Sequence, residues 1–185
     1  MIIGITGKSG TGKTTVAEYL GKKLDFQVIH GDELAHEVLD INLYNEVLSW
    51  FGYEKENVVD RKRLGKLLFN NEELMDKYNK LINEYIMEYF YNNYDLTNNY
   101  IIDWNFLPIS DFNHKCDIKI LLVESDEVRR KRVLARDNIT DDYFNMRDLY
   151  GLQYNENDFD YVLTSDQVMN NEKILKKIKD ENYGN

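Results

Sequence analysis

The sequence predicts an α/β fold, a mostly parallel five-stranded sheet with helices on both faces and a helical insertion. Three observations predict it. Short β-branched apolar runs alternate with longer segments of helical period, a glycine-rich turn joins the first run to the first helix, and residues 41–97 carry helical periodicity alone.

Each element follows from its residues. Met1 to Thr6 is short, apolar and closed by Gly7, which suits a strand buried on both faces. From Lys13 to Lys23, Val16, Ala17, Tyr19 and Leu20 recur at helical spacing, with Gly21 weakening the last turn. Phe26 to His30 reads as a second strand, and Gly31-Asp32 as a turn into a helix carrying Leu34, Ala35, Val38 and Leu39. The insertion holds Ile41 to Phe51, Asp60 to Phe69 with Leu64, Leu67 and Leu68 inward, and Glu72 to Tyr91. In the last of these, Leu74, Tyr78, Leu81, Ile82, Tyr85, Ile86 and Tyr89 mark one apolar face. Strands return at Tyr100 to Asp103, Ile118 to Val123 and Asp160 to Leu163, all expected to be buried, with helices filling the gaps. Ser125 is placed to cap Asp126 to Asp137, Thr140 the next helix through about Leu152, and Asn170 or Asn171 a terminal helix with Ile174, Leu175 and Ile178.

Composition narrows the functional classes. The chain has 185 residues, 43% hydrophobic and 30% charged, and a net charge of −10. One domain spanning residues 1–185 is expected, with a core at 1–40 and 98–185, the insertion at about 41–97 and a lid at about 126–153. The acidic balance disfavours nucleic acid as a partner. A mean hydropathy of −0.58, no long apolar run and no basic leader imply no membrane span and a cytoplasmic location. A single cysteine, Cys116, excludes an internal disulfide and a CxxC metal site.

Gly7-Lys8-Ser9-Gly10-Thr11-Gly12-Lys13-Thr14, followed by Thr15, fits the Walker A pattern between a buried strand and a helix. The three glycines allow the backbone to wrap an anion with its amides inward, and the helix start adds its dipole. Lys13 brings a mobile cation for the β- and γ-phosphates, and Thr14 a hydroxyl for Mg²⁺. The fold is thus of P-loop NTPase type, with a nucleoside triphosphate and Mg²⁺ as the expected ligands.

Asp32 ends the second strand on the edge where open sheets bind ligands, as a base for an attacking hydroxyl or as the N-cap of a helix starting near Glu33. Asp103 ends the third strand, as a Mg²⁺ carboxylate or a turn residue. Arg129, Arg132 and Arg136 lie at i, i+3 and i+7, and Arg147 on the next helix. Arg129 to Lys131 read as a solvated face paired with local acids; Arg136 and Arg147 read as lid cations. His30, His36 and His114 read as surface or core histidines with no metal role. The sequence disfavours a switch GTPase, because Asn79-Lys80-Leu81-Ile82 lacks the Asp of the guanine-reading motif.

In order, the Walker loop, Val28 to Ala35, Asp60 to Phe69, Lys131-Arg132 to Arg136-Asp137, Arg147 and Asp160 to Leu163 resemble the dephospho-CoA kinases over nearly the whole chain. The resemblance implies phosphorylation of the ribose 3′-hydroxyl of dephospho-CoA, with Asp32 as catalytic base, Lys13 and Thr14 for ATP and Mg²⁺, Arg136 and Arg147 as lid arginines, and the insertion as the CoA-side domain. The chain departs from the family at His36, Asn83-Glu84, Trp104 to Pro108 and Thr164-Ser165. A nucleoside or nucleoside monophosphate kinase, or a non-catalytic nucleotide-binding paralogue, would carry the same loop.

Overall fold

The computed structural model describes residues 1–69, 71–149 and 151–183. In chain order the elements are β1 (Ile2–Thr6), α1 (Lys13–Leu24), β2 (Gln27–His30), α2 (Gly31–Val38), α3 (Ile41–Ser49), α4 (Arg61–Phe69), α5 (Glu72–Asn93), β3 (Tyr100–Asp103), β4 (Ile118–Leu122), α6 (Asp126–Asp137), α7 (Asp141–Leu149), β5 (Tyr161–Leu163), α8 (Ser165–Asn170) and α9 (Glu172–Tyr183). They divide into two compact units, Met1–Gly31 with Leu96–Asn185, and Asp32–Asp95.

The first unit holds one sheet in the order β2-β3-β1-β4-β5, and every pairing is parallel. β1 is central, with Ile3 opposite Ile101 on one side and Ile118 on the other. Its five residues are all buried, as are the four of β3, so a continuous apolar run is what these strands require. The expectation of five buried strands fails at the edges. Gln27 of β2 is exposed and β5 is only half-buried, because an outer strand lacks a neighbour on one side.

Ile3, Ile5, Ile101, Ile118, Ile120 and Leu122 of the sheet form a core with Val16, Ala17 and Leu20 of α1, Val168 of α8 and Ile178 of α9. Gly21 lowers the helix propensity of α1 but serves the packing. A Cβ there would lie 2.5 Å from Cγ2 of Val28, so its absence lets α1 settle on β2. The helix then stops at Asp25, whose φ of 59° is left-handed.

Two features of this unit escape the periodicity reading. Between β3 and β4 the chain makes 3₁₀ turns at Leu107–Ile109, opened by Pro108, and at Asp111–His114, where an α-helix was expected. The helix α8 was not anticipated, since six residues are too few to show a period; Thr164 caps it in a capping box with Gln167. The other caps fall as read, with Ser125 accepting from the Val128 amide, Thr140 from Tyr143 and Asn171 from Lys173.

The second unit is helical throughout. Asp40 caps α3 by accepting from the amides of Asn42 and Leu43, and Asn71 caps α5 through Leu74. Leu43, Tyr44, Val47 and Leu48 of α3, Leu64 and Leu68 of α4, and Ile82, Ile86, Met87 and Phe90 of α5 are buried. Tyr85, expected inward, is 40% exposed, because the buried stripe of α5 runs through Met87 and Phe90. Glu56 ties the unit together, accepting from the Tyr44 hydroxyl at 3.0 Å and pairing with Arg63. Among the described residues no helix is long and apolar enough to cross a membrane.

Candidate active site

The carboxyl ends of β1, β3 and β4 lie side by side, and the chain leaves β1 in a glycine-rich loop at the point where strand order reverses. Open parallel sheets form ligand crevices there. Gly7, Gly10 and Gly12 have φ of 148°, 87° and 92°, and Gly12 leads directly into the first turn of α1. The close approach adds to the requirement: a Cβ at Gly7 would lie 2.3 Å from the carbonyl oxygen of Leu122, and one at Gly10 2.8 Å from the carbonyl oxygen of Arg129 and 2.9 Å from its Cα. Inside the turn, Thr11 is buried and its hydroxyl donates to the Lys8 carbonyl at 2.9 Å.

At the head of α1 the exposed Thr14 donates its hydroxyl to Oδ2 of Asp103 at 2.9 Å. Asp103 is 6% exposed, in register with Ile5 of β1 and His30 of β2. The His30 ring lies between two carboxylates, with Nδ1 3.2 Å from Asp103 Oδ2 and Nε2 2.9 Å from Glu18 Oε1. The two residues read from sequence as metal-binding thus meet, and His30, read as structural, touches one of them. Its position at the end of β2, on the same edge as Asp103, was the available signal. Among the described residues no three His, Cys, Asp or Glu side chains converge as a metal cluster. A hydroxyl beside one carboxylate fits Mg²⁺, which keeps several waters and takes further ligands from phosphate.

Helix α6 backs the loop. Arg132 Nη1 donates to the Gly10 carbonyl at 3.0 Å, Arg129 Nη1 to the Ser9 carbonyl at 3.4 Å, and Arg136 Nη2 to the Ser9 hydroxyl at 3.4 Å. Arg129 corrects the sequence reading. It is no solvated residue but 1% exposed, paired with Asp148 of α7. The usable signal was its spacing four residues before the buried Val133. Arg130 does lie at the surface, bound to Asp141 at 2.6 Å, and Lys131 is exposed.

Arg136 and Arg147 share one carboxylate. Asp137 Oδ1 lies 2.5 Å from Arg136 Nε, and Oδ2 lies 3.0 Å from Arg147 Nη1. The hydrogen bond from Arg136 holds the Asp137 carboxyl below the usual range, and Arg147 adds to it. Left-handed Asn138, φ 50°, ends α6 just after this pair. The helix α6 therefore meets the loop through Arg129, Arg132 and Arg136, and Arg147 of α7 joins Arg136 through Asp137.

Asp32 is the second residue of α2, exposed, in a first turn it shares with Glu33. The helix starts at Gly31, at the end of β2, and not near Glu33, so Asp32 lies within the turn rather than at its N-cap. Trp104, in the departing segment after β3, is buried with its ring against Gly31 and edge-on to Phe106 and Phe112. Thr164 and Ser165, a second departure, start α8, and Ser165 lies beside Gly12, 3.1 Å from where its Cβ would be.

Comparison with known proteins adds four findings. A profile described as dephospho-CoA kinase matches residues 1–177. A dephospho-CoA kinase from Fusobacterium nucleatum is 34% identical over 146 residues, covering 75% of each chain. Among solved structures, a protein from Thermus thermophilus superposes with a TM-score of 0.75 at 23% identity, covering 98% of this chain and 97% of its own. The dephospho-CoA kinase of Campylobacter jejuni does so with a TM-score of 0.60 at 20% identity, covering 99% and 98%.

Proposed function

The chain belongs to the dephospho-CoA kinase family, and from that premise we propose that it transfers the γ-phosphoryl group of ATP to the ribose 3′-hydroxyl of dephospho-CoA through the residues around the Gly7 to Thr15 loop. It is a P-loop kinase, and its substrates are small molecules. The observation that carries the residue assignment is the Thr14 to Asp103 hydrogen bond at 2.9 Å, at the head of a loop with three left-handed glycines.

In this reading the amides from Lys8 to Thr15 cradle the phosphates, assisted by the start of α1. Lys13 neutralises charge on the β- and γ-phosphates. Thr14 and Asp103 would hold Mg²⁺, and the ion when bound would neutralise charge developing on the phosphate oxygens. Asp32 accepts the proton of the attacking hydroxyl and orients it. Such a base is worth about 10²- to 10⁴-fold in rate. Arg136 and Arg147 supply guanidinium groups to the transferred oxygens, and the helices from α3 to α5 receive the CoA side of the acceptor. The segment 126–153 acts as the lid.

The test is a panel of acceptors offered with γ-labelled ATP and Mg²⁺. Label transferred to dephospho-CoA, and to neither nucleosides nor nucleoside monophosphates, supports the proposal. Preferential labelling of a nucleoside or monophosphate contradicts it, and binding of ATP with no labelled acceptor identifies a non-catalytic nucleotide-binding protein.

A further inference from the structure

We propose that Arg129 and Asp148 are a positioning pair that sets the conformation of the phosphate loop and, through Lys8, ties that loop to helix α7. The inference rests on the reading of the loop as the ATP site.

A guanidinium 1% exposed has lost nearly all its water and must be paired. Asp148 supplies the pairing, accepting from Arg129 Nη1 at 2.6 Å and from Nη2 through the same oxygen, Oδ1. Its other oxygen, Oδ2, accepts from Lys8 Nζ at 3.2 Å. Exposed Asp126 lies 3.3 Å from Arg129 Nη2, and the Phe144 ring covers the guanidinium at 5.7 Å. One carboxylate of α7 therefore bridges a cation of the loop and a cation of α6.

The consequence for the loop follows from peptide geometry. Arg129 Nη1 donates to the Ser9 carbonyl at 3.4 Å. In a trans peptide the N–H of the next residue points opposite to that carbonyl, so a hold on the Ser9 oxygen turns the Gly10 amide to the other side. Arg132 holds the following carbonyl, that of Gly10, at 3.0 Å. With the backbone of Arg129 packed on Gly10, α6 fixes both sides of this peptide pair before any nucleotide arrives. Amides aligned in advance bind an anion without the cost of ordering them.

Asp148 decides whether Arg129 is held in place for that task. As a positioning residue it touches no phosphate, so its removal should lower affinity for ATP and leave the acceptor alone. Calorimetric titration of ATP into the wild-type chain and into Asp148→Asn, Asp148→Glu and Arg129→Lys tests this, with the KM for dephospho-CoA and melting temperatures measured alongside. The first of these keeps the shape of the side chain and removes its charge; the last keeps charge and removes the fork.

Asp148→Asn is expected to raise the ATP dissociation constant about tenfold with the acceptor KM within about twofold, and Asp148→Glu to regain most of the loss. Arg129→Lys is expected to weaken ATP by a similar factor. Should Asp148→Asn or Arg129→Lys melt below the assay temperature, the other of these two decides. ATP binding within about twofold of wild type in folded Asp148→Asn or folded Arg129→Lys overturns the proposal. Wild-type protein with no affinity for ATP would remove the proposed function as well, so the two failures are distinct.

Discussion

The Thr14 hydroxyl donates to Oδ2 of Asp103 at 2.9 Å, which joins the first turn of α1 to the end of the neighbouring strand β3. Eighty-nine residues separate the two in sequence. The same oxygen lies 3.2 Å from His30 Nδ1, so this carboxylate of β3 collects polar groups from both α1 and β2. A carboxylate 6% exposed must have such partners, and Mg²⁺ would join them.

Asp103→Asn keeps a hydrogen-bond acceptor for Thr14 and removes the charge. The Mg²⁺ concentration giving half-maximal rate is expected to rise about tenfold or more, with metal-free ATP binding unchanged within about twofold. Mg²⁺ titration of the initial rate, set beside ATP calorimetry in EDTA, checks it. An unchanged Mg²⁺ requirement would leave Asp103 a structural partner of Thr14 and His30.

Asp32→Asn is expected to slow turnover by a factor on the order of a hundred while ATP binds within about twofold of wild type. Asp32 is exposed in the first turn of α2, so the substitution costs the fold little. Single-turnover rates at saturating substrates measure it, and full turnover in the variant would exclude Asp32 as the base.

Gly10→Ala combines a left-handed φ of 87° with a Cβ 2.8 Å from the Arg129 carbonyl oxygen. The conformational part alone costs about 1 to 2 kcal/mol, which corresponds to a fall of several degrees in melting temperature for a chain of this size. Loss of measurable ATP binding should accompany it. A thermal melt with and without ATP reads both, and a variant that ATP still stabilises as much as wild type would show the loop to be more tolerant than its packing implies.

Asp137 predicts an acid-side dependence. Its carboxyl titrates below the usual range because Arg136 and Arg147 bind the charged form. The pairing therefore stabilises the fold fully above the unfolded carboxylate value of about 4 and loses that contribution as pH falls through the lower folded value. Asp137→Asn should lower the urea midpoint relative to wild type at pH 7 and converge with it in strong acid. A difference that persists unchanged at pH 2 would rule the ion pairs out as its source.

The parts of this molecule that were readable in the sequence are those in which local pattern and tertiary role coincide. The apolar run of β1, the glycines of the loop and the cap at Ser125 each state their role within a few residues. Asp103 was readable because it closes an apolar run, although its contact with Thr14 needed the strand order. The pairing of Arg129 with Asp148 was hidden, since α6 looks solvated by composition and only the packing of Val133 and Gly10 turns Arg129 inward. The half-exposed edges β2 and β5 were hidden for a related reason, because strand order is set by crossovers and not by residues within the strands. Tyr85 was misread because hydrophobicity alone does not say which of two adjacent stripes on α5 is covered.

Phosphoryl transfer itself is the most direct test of the central claim, that the loop from Gly7 to Thr15 presents ATP to a hydroxyl acceptor. Purified protein is incubated with ATP and Mg²⁺, with and without dephospho-CoA, and both ADP release and the mass of the acceptor are followed. ADP release is expected to depend on dephospho-CoA, to be matched mole for mole by an acceptor heavier by one phosphoryl group, and to be abolished in Lys13→Ala. Bound ATP with no ADP released and an acceptor of unchanged mass would contradict it.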